Sequence, residues 1–219
     1  MIVAVTGLVR EAKIVKSTDI KVVIGGGHNL DSKLAAALSN DVQGIISIGI
    51  AGGLATDLKP GDCVVAQEIV FGPNRRSTDA AWTQNLLLHL PFANAGVIAG
   101  TDHILADAQS KAIFRANTNA HATDMETHIA ARVAHARNIP FAALRVISDA
   151  HDHTLPPAAL NAMKPDGGIN YGAVIGSVLL KPWQIPALIR TARDANKAFA
   201  ALLRCRNLLG PRLGFPNLG

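Results

Sequence analysis

The sequence predicts an α/β domain with a mostly parallel sheet, and three observations carry that prediction. Short β-branched apolar runs alternate with helical stretches along the chain, the pattern of strands joined by covering helices. The run Phe141 to Ile147 is almost wholly apolar, as a strand buried on both faces must be. The 219 residues suffice for one sizeable core, and no linker-like stretch divides them. One domain over residues 1–206 with a carboxyl-terminal tail at 207–219 follows.

The elements fall in order. Met1-Ile2-Val3-Ala4-Val5-Thr6-Gly7 lacks the length and basic flank of a signal peptide and reads as a first strand, 2–6. Further strands are expected at 20–24, 44–48, 62–70, 96–99 and 141–147. A helix is expected from Asp31, an N-cap-like residue, to Leu38. Another is expected from Thr123 to Arg137, ended by Asn138-Ile139-Pro140. His153 to Gly172 carries Pro156, Pro157, Pro165, Gly167 and Gly168 and reads as a loop-rich insertion. Ala173 to Leu180 is small and apolar, Lys181-Pro182 breaks it, and Gln184 to Arg204 reads as a final amphipathic helix. Gly210, Pro211, Gly214 and Pro216 mark the last residues as a mobile or partner-bound tail.

Hydrophobic residues make up 49% of the chain and charged residues 17%, an apolar balance that oligomer contacts or an apolar ligand would explain. A homo-oligomer is the expectation. The net charge of +5 is modest, and Arg190, Arg193, Lys197, Arg204 and Arg206 recur at helical spacing. That spacing fits a solvated helix face, with a weak attraction to anionic lipid headgroups, and not a nucleic-acid patch. Two cysteines, Cys63 and Cys205, supply neither a disulfide framework nor a zinc spacing. His151-Asp152-His153 has no matching upstream pair and reads as a loop beside the site, so no metal is expected. No apolar segment is long enough to span a bilayer; a cytoplasmic protein with at most peripheral membrane contact is expected.

Chemistry is concentrated in two places. Ser148 and Asp149 follow the apolar strand at its carboxyl end, where ligands bind in open α/β sheets. A carboxyl group there is poorly solvated, holds its proton more tightly and suits general acid work. Upstream, Met125-Glu126 pairs a carboxylate with a flexible apolar side chain, a combination suited to gripping sugar hydroxyls while covering the sugar's apolar face. Together they suggest chemistry on a glycosidic bond.

Asp124-Met125-Glu126 and Arg145-Val146-Ile147-Ser148-Asp149, with Ile48-Gly49-Ile50-Ala51-Gly52-Gly53-Leu54 and Lys59-Pro60-Gly61-Asp62-Cys63-Val64-Val65, resemble the nucleoside phosphorylase and methylthioadenosine/adenosylhomocysteine nucleosidase superfamily in order and spacing. Thr6-Gly7-Leu8-Val9-Arg10-Glu11-Ala12 and Gly25-Gly26-Gly27 resemble most the hopanoid-associated phosphorylases within it. The resemblance implies a three-layer sandwich with a mixed, mostly parallel sheet. It implies no cofactor, with phosphate as an optional co-substrate, and a small adenosine derivative, lipid-linked in the hopanoid case, as ligand.

It also assigns roles. Asp149 would protonate purine N7, held in orientation by Ser148; Glu126 would bind the ribose hydroxyls and Met125 would pack on the sugar. His103 and Ile104 fall on the loop that meets the base, Gly26 and Gly27 on a strand-end turn beside the nucleophile, and Ile50, Ala51 and Gly52 on the second glycine turn. Glu11 lies near the glutamate that orients the attacking water, although counting without a gap from Gly7 places Ala12 there. Arg10 is a candidate anion contact on the same turn. Phosphate-using relatives often carry arginine at Ser47 and a hydroxyl residue at Ile50; neither is present. The implied reaction is release of adenine from adenosylhopane. The alternatives are methylthioadenosine/adenosylhomocysteine cleavage, or a non-catalytic nucleoside-binding protein. A dinucleotide-dependent oxidoreductase is disfavoured because the glycine fingerprint is incomplete.

Overall fold

A computed structural model describes residues 1–25, 29–160, 167–168 and 170–216. Eight strands form one sheet: β1 (Ile2–Thr6), β2 (Ile20–Ile24), β3 (Gly44–Gly53), β4 (Cys63–Phe71), β5 (Asn74–Ser77), β6 (Asn94–Gly100), β7 (Ala122–Asp124) and β8 (Phe141–Asp149). Their order is β2-β1-β3-β7-β6-β4-β5, and β8 bridges β3 and β4. β8 runs parallel to β3 and antiparallel to β4, and β3–β7 and β4–β5 are also antiparallel. The sheet is mixed and mostly parallel, as expected, and β3, β8, β4, β6 and β7 close into a ring.

Helices cover both faces. On one side α2 (Leu30–Ala37) and α5 (Thr127–Ala136) bury Leu34, Ile129 and Ala134 against Val3, Val5 and Ala143. On the other, α1 (Val9–Val15), α3 (Ala80–His89) and α8 (Ile185–Leu209) bury Val15, Trp82 and Leu202 against Ile2, Ile46 and Leu144. Strand β1 is therefore buried at all five residues. Each such aliphatic side chain contributes about 1.5–3 kcal/mol, which is why an unbroken apolar run is affordable only in a three-layer arrangement. The two cysteines meet beneath α8 as free thiols, Cys63 on β4 hydrogen-bonded to Cys205.

All six expected strands are present, and several expectations are corrected. The helix expected from Thr123 starts at Thr127, because Ala122–Asp124 pairs as β7 and the Asp124 carboxylate then accepts from the amides of Glu126 and Thr127, both at 2.7 Å. β3 and β8 run beyond their expected ends to Gly53 and Asp149. The insertion contains α6 (Pro157–Leu160), and the apolar segment after it is α7 (Tyr171–Leu180). The final helix starts at Ile185 and continues to Leu209. Beyond it, the described part of the expected tail, to Pro216, is docked: Trp82 Nε1 donates to the Leu213 carbonyl at 3.0 Å, Asn85 to that of Gly214 at 2.8 Å, and Phe215 meets the Trp82 ring edge-on at 4.9 Å. Among the described residues no helix is long and apolar enough to cross a membrane.

Candidate active site

The carboxyl ends of β3, β7 and β8, with the turn between β1 and α1, enclose a cavity of about 550 Å³. Its outer wall comes from Leu155, from Ala159 and Leu160 on α6, and from Thr191 and Ala195 on α8. Sequence placed Ser148 and Asp149 at a strand end; the structure adds how both reach one cavity. In a regular strand consecutive side chains face opposite ways. Here the β3–β8 register slips between Ala51 and Gly52, so that Ala51 pairs with Ile147 and Gly52 with Asp149, leaving Ser148 as the extra residue of a bulge. A bulge re-aims side chains, and both Ser148 and Asp149 line the cavity. The Ser148 hydroxyl is 2.8 Å from Asp149 Oδ1 and 3.1 Å from the Ala51 carbonyl.

The other carboxyl oxygen of Asp149 accepts from Lys111 Nζ at 2.5 Å. Lys111 projects from α4 (Ala108–Thr118) and is 1% exposed; its ammonium also donates to the carbonyls of Ala150 at 2.8 Å and His153 at 3.0 Å. All three N–H groups are thus used, and the Asp149 carboxyl is fixed from behind. The sequence reading missed Lys111. Nothing within α4 marks it, because its partner lies 38 residues away.

Arg145, on the same strand as Asp149, is paired elsewhere. Arg145 is fully buried and its Nε meets Asp124 at 3.0 Å, while Nη2 donates to the Ser47 hydroxyl at 2.6 Å and lies 3.6 Å from Glu126. Nη1 has no hydrogen-bond partner. Glu11 sits beside it: Oε2 accepts from the amides of Gly7 and Leu8, each at 2.8 Å, and Oε1 from that of Ile50 at 2.7 Å. A side chain at Gly49 would come within 2.4 Å of Glu11 Oε1 and 2.6 Å of Arg145 Nη1, so only glycine lets the two approach here. Three carboxyl groups thus surround one guanidinium.

Burial is the largest influence on the Glu11 and Glu126 carboxyls. It holds the Glu11 carboxyl above its ordinary range, against the pull of Arg145 and the three amides. It also pushes Glu126 up to about 8, opposed by Arg145 and reinforced by Asp124 and Glu11. Burial opposes the Arg145 charge, but Asp124, Glu126 and Glu11 more than offset that and raise its pKa.

The remaining expected residues are placed as follows. Met125, Glu126, Ile50, Ala51 and Gly52 line the cavity; Ile104 does so half-buried, and His103 is exposed at the rim. Glu11 also lines it, from the first turn of α1. Gly26, Gly27 and His28 lie outside the described residues. Arg10 turns away from the cavity to α8, donating to Asn196 at 2.8 Å and stacking over Phe199. Asp102 caps no helix: Asp107 caps α4, and Asp102 lies 3.4 Å from His128.

A carboxyl group at one end of the cavity and a buried carboxyl cluster beside a flexible apolar side chain at the other are the groups with which a leaving base can be protonated and a cationic sugar steadied. Comparison with known proteins identifies the fold and the family. The fold is similar to futalosine hydrolase of Helicobacter pylori, at TM-score 0.68 and 16% identity over 95% of this chain and 96% of that one. It is similar to the 5′-methylthioadenosine/S-adenosylhomocysteine nucleosidase of Neisseria meningitidis in complex with methylthio-immucillin-A, at TM-score 0.69 and 16% identity over 94% and 96%. The apo 5′-methylthioadenosine nucleosidase of Arabidopsis thaliana matches at TM-score 0.64 and 17% identity over 96% of each chain. Those likenesses establish the fold. Residues 3–165, which carry both β1 and the β8 bulge, match the Phosphorylase superfamily, and the chain belongs to that family of enzymes.

Proposed function

We propose that this enzyme hydrolyses the N-glycosidic bond of a 5′-substituted adenosine and releases adenine, with adenosylhopane as its substrate. The observation that carries the reaction is the single cavity holding Ser148–Asp149 together with Glu11, Met125 and Glu126. Asp149 gives its proton to N7 as the C1′–N9 bond breaks, and the Lys111 ammonium offsets the charge left on its carboxylate. Glu126 holds the 2′- and 3′-hydroxyls, and Met125 packs on the ribose. Water bonds to C1′ from the opposite face and passes its proton to Glu11, whose proton affinity burial raises.

Water is favoured over phosphate by charge. Among the described residues the cavity lining carries Glu11, Asp124, Glu126 and Asp149 and no lysine or arginine. Lys111 and Arg145 lie behind it, already engaged with carboxylates. A phosphate dianion would meet carboxyl groups without a cation of its own.

The apolar 5′ substituent is supported by the resemblance of Thr6 to Ala12 and by the apolar outer wall of Leu155, Ala159 and Leu160. The cavity volume favours a second reading, in which a small 5′ group such as that of methylthioadenosine fills the site. Burying hydrocarbon stabilises by about 0.8 kcal/mol per methylene. Catalytic efficiency on 5′-alkylthioadenosines, kept soluble in detergent, should therefore rise with chain length. Methylthioadenosine outperforming every longer analogue would replace the hopanoid reading with the nucleosidase one.

A further inference from the structure

We infer that α7 and the start of α8 form a membrane-docking surface beside the mouth of the active site, and that its partner is an anionic lipid bilayer. An ordinary surface helix turns its apolar stripe inward. Helix α7 does the reverse: Ile175, Leu179 and Leu180 are 61%, 77% and 79% exposed, while Val174, Ser177 and Val178 are only partly so. The apolar surface continues through Trp183, 74% exposed, to Ile185 and Ile189. Monomer surfaces rarely present large apolar side chains so contiguously unless something covers them.

The platform is held in place. Gln184 is buried; its Oε1 accepts from the Ala158 amide at 3.0 Å, and its Nε2 donates to the Ser177 carbonyl at 2.7 Å. One side chain thereby ties α6, α7 and α8 together, and α6 and α8 are the helices that wall the cavity.

Charge identifies the occupant. From 171 to 193 the sequence contains Lys181, Arg190 and Arg193 and no acidic residue, and all three cations are exposed. A two-fold pairing of this face with a second copy would set these cations against their own counterparts. An anionic bilayer complements them, with Trp183 at headgroup depth and the leucines beneath, as in interfacial helices. This rests on the reading that the substrate is an amphiphile: a cavity of about 550 Å³ takes a nucleoside, and the hydrocarbon of a lipid-linked one would leave by the mouth toward the membrane.

The test is co-sedimentation with vesicles of phosphatidylcholine alone or mixed with phosphatidylglycerol, without substrate. Trp82 is fully buried, so a blue shift of tryptophan emission on vesicle binding reports Trp183. Binding to the anionic vesicles should exceed binding to neutral ones by about tenfold or more, and salt should weaken it. The exposed-site variants Leu179→Ser/Leu180→Ser and Arg190→Gln/Arg193→Gln should each lose most of that binding while releasing adenine from a soluble adenosine derivative at the parent rate. No binding, equal binding by the serine variant, or a solution dimer that this variant dissolves would overturn the inference. Vesicle binding by an enzyme that prefers methylthioadenosine would instead overturn the substrate reading and leave the surface standing.

Discussion

In the proposed reaction the chemistry at Asp149 depends on one proton and on the group behind it. Asp149→Asn retains the shape but cannot donate to N7, so turnover should nearly vanish while adenine still binds, measured by adenine release and by equilibrium binding. Lys111→Met leaves Asp149 without this charged partner, and removing one member of a buried ion pair costs about 3–5 kcal/mol. Urea unfolding should show that loss, and kcat should fall with it. Because the two residues act as one unit, adding Lys111→Met to Asp149→Asn should cost far less activity than it does alone. Glu126 gives a pH signature. Its folded pKa of about 8 lies above its ordinary value of 4.5, so the folded state binds a proton that the unfolded state has released between those values. Its contribution to stability is complete below the lower value and is lost as pH rises through the upper one. Glu126→Gln should flatten that decline between pH 5 and pH 8 in thermal unfolding scans. Comparable slopes for parent and variant would mean that Glu126 is not held neutral by burial.

At the scale of elements, strands were legible and joints were not. β1 and β8 announce themselves as apolar runs because the sheet is covered on both faces there. β5, Asn74–Ser77, is a polar edge paired only with β4, and β7 has three residues, so neither leaves a periodic signal. The bulge at Ser148 is invisible in sequence, because it is a register slip against β3 and not a property of β8. Lys111 was hidden for the same kind of reason. Asp149 and Glu126, with Met125 beside it, were legible because a buried strand or its turn delivers a carboxyl group to the ligand end of the sheet. The carboxyl terminus shows composition misleading: glycine and proline after Leu209 permit the sharp turns that fold Leu213 and Phe215 back onto Trp82. Phe215→Ala should therefore destabilise the whole domain by about 3–5 kcal/mol, a typical cost for a buried phenylalanine. An unchanged midpoint in urea would mean that the docked terminus does not contribute to the fold.

At the scale of the molecule, the strand ends of the sheet and the helix that follows β1 bring side chains far apart in sequence, Glu11 and Asp149 among them, into one cavity. The central claim is that this cavity cleaves the bond between adenine and ribose with water and with Asp149 as acid. Adenine release from a 5′-alkylthioadenosine in oxygen-18 water, with and without phosphate, tests it most directly. The account predicts release at the same rate in both, label at C1′ of the freed sugar, and near-complete loss in Asp149→Asn. Dependence on phosphate with a sugar 1-phosphate as product, or full activity in Asp149→Asn, would contradict it.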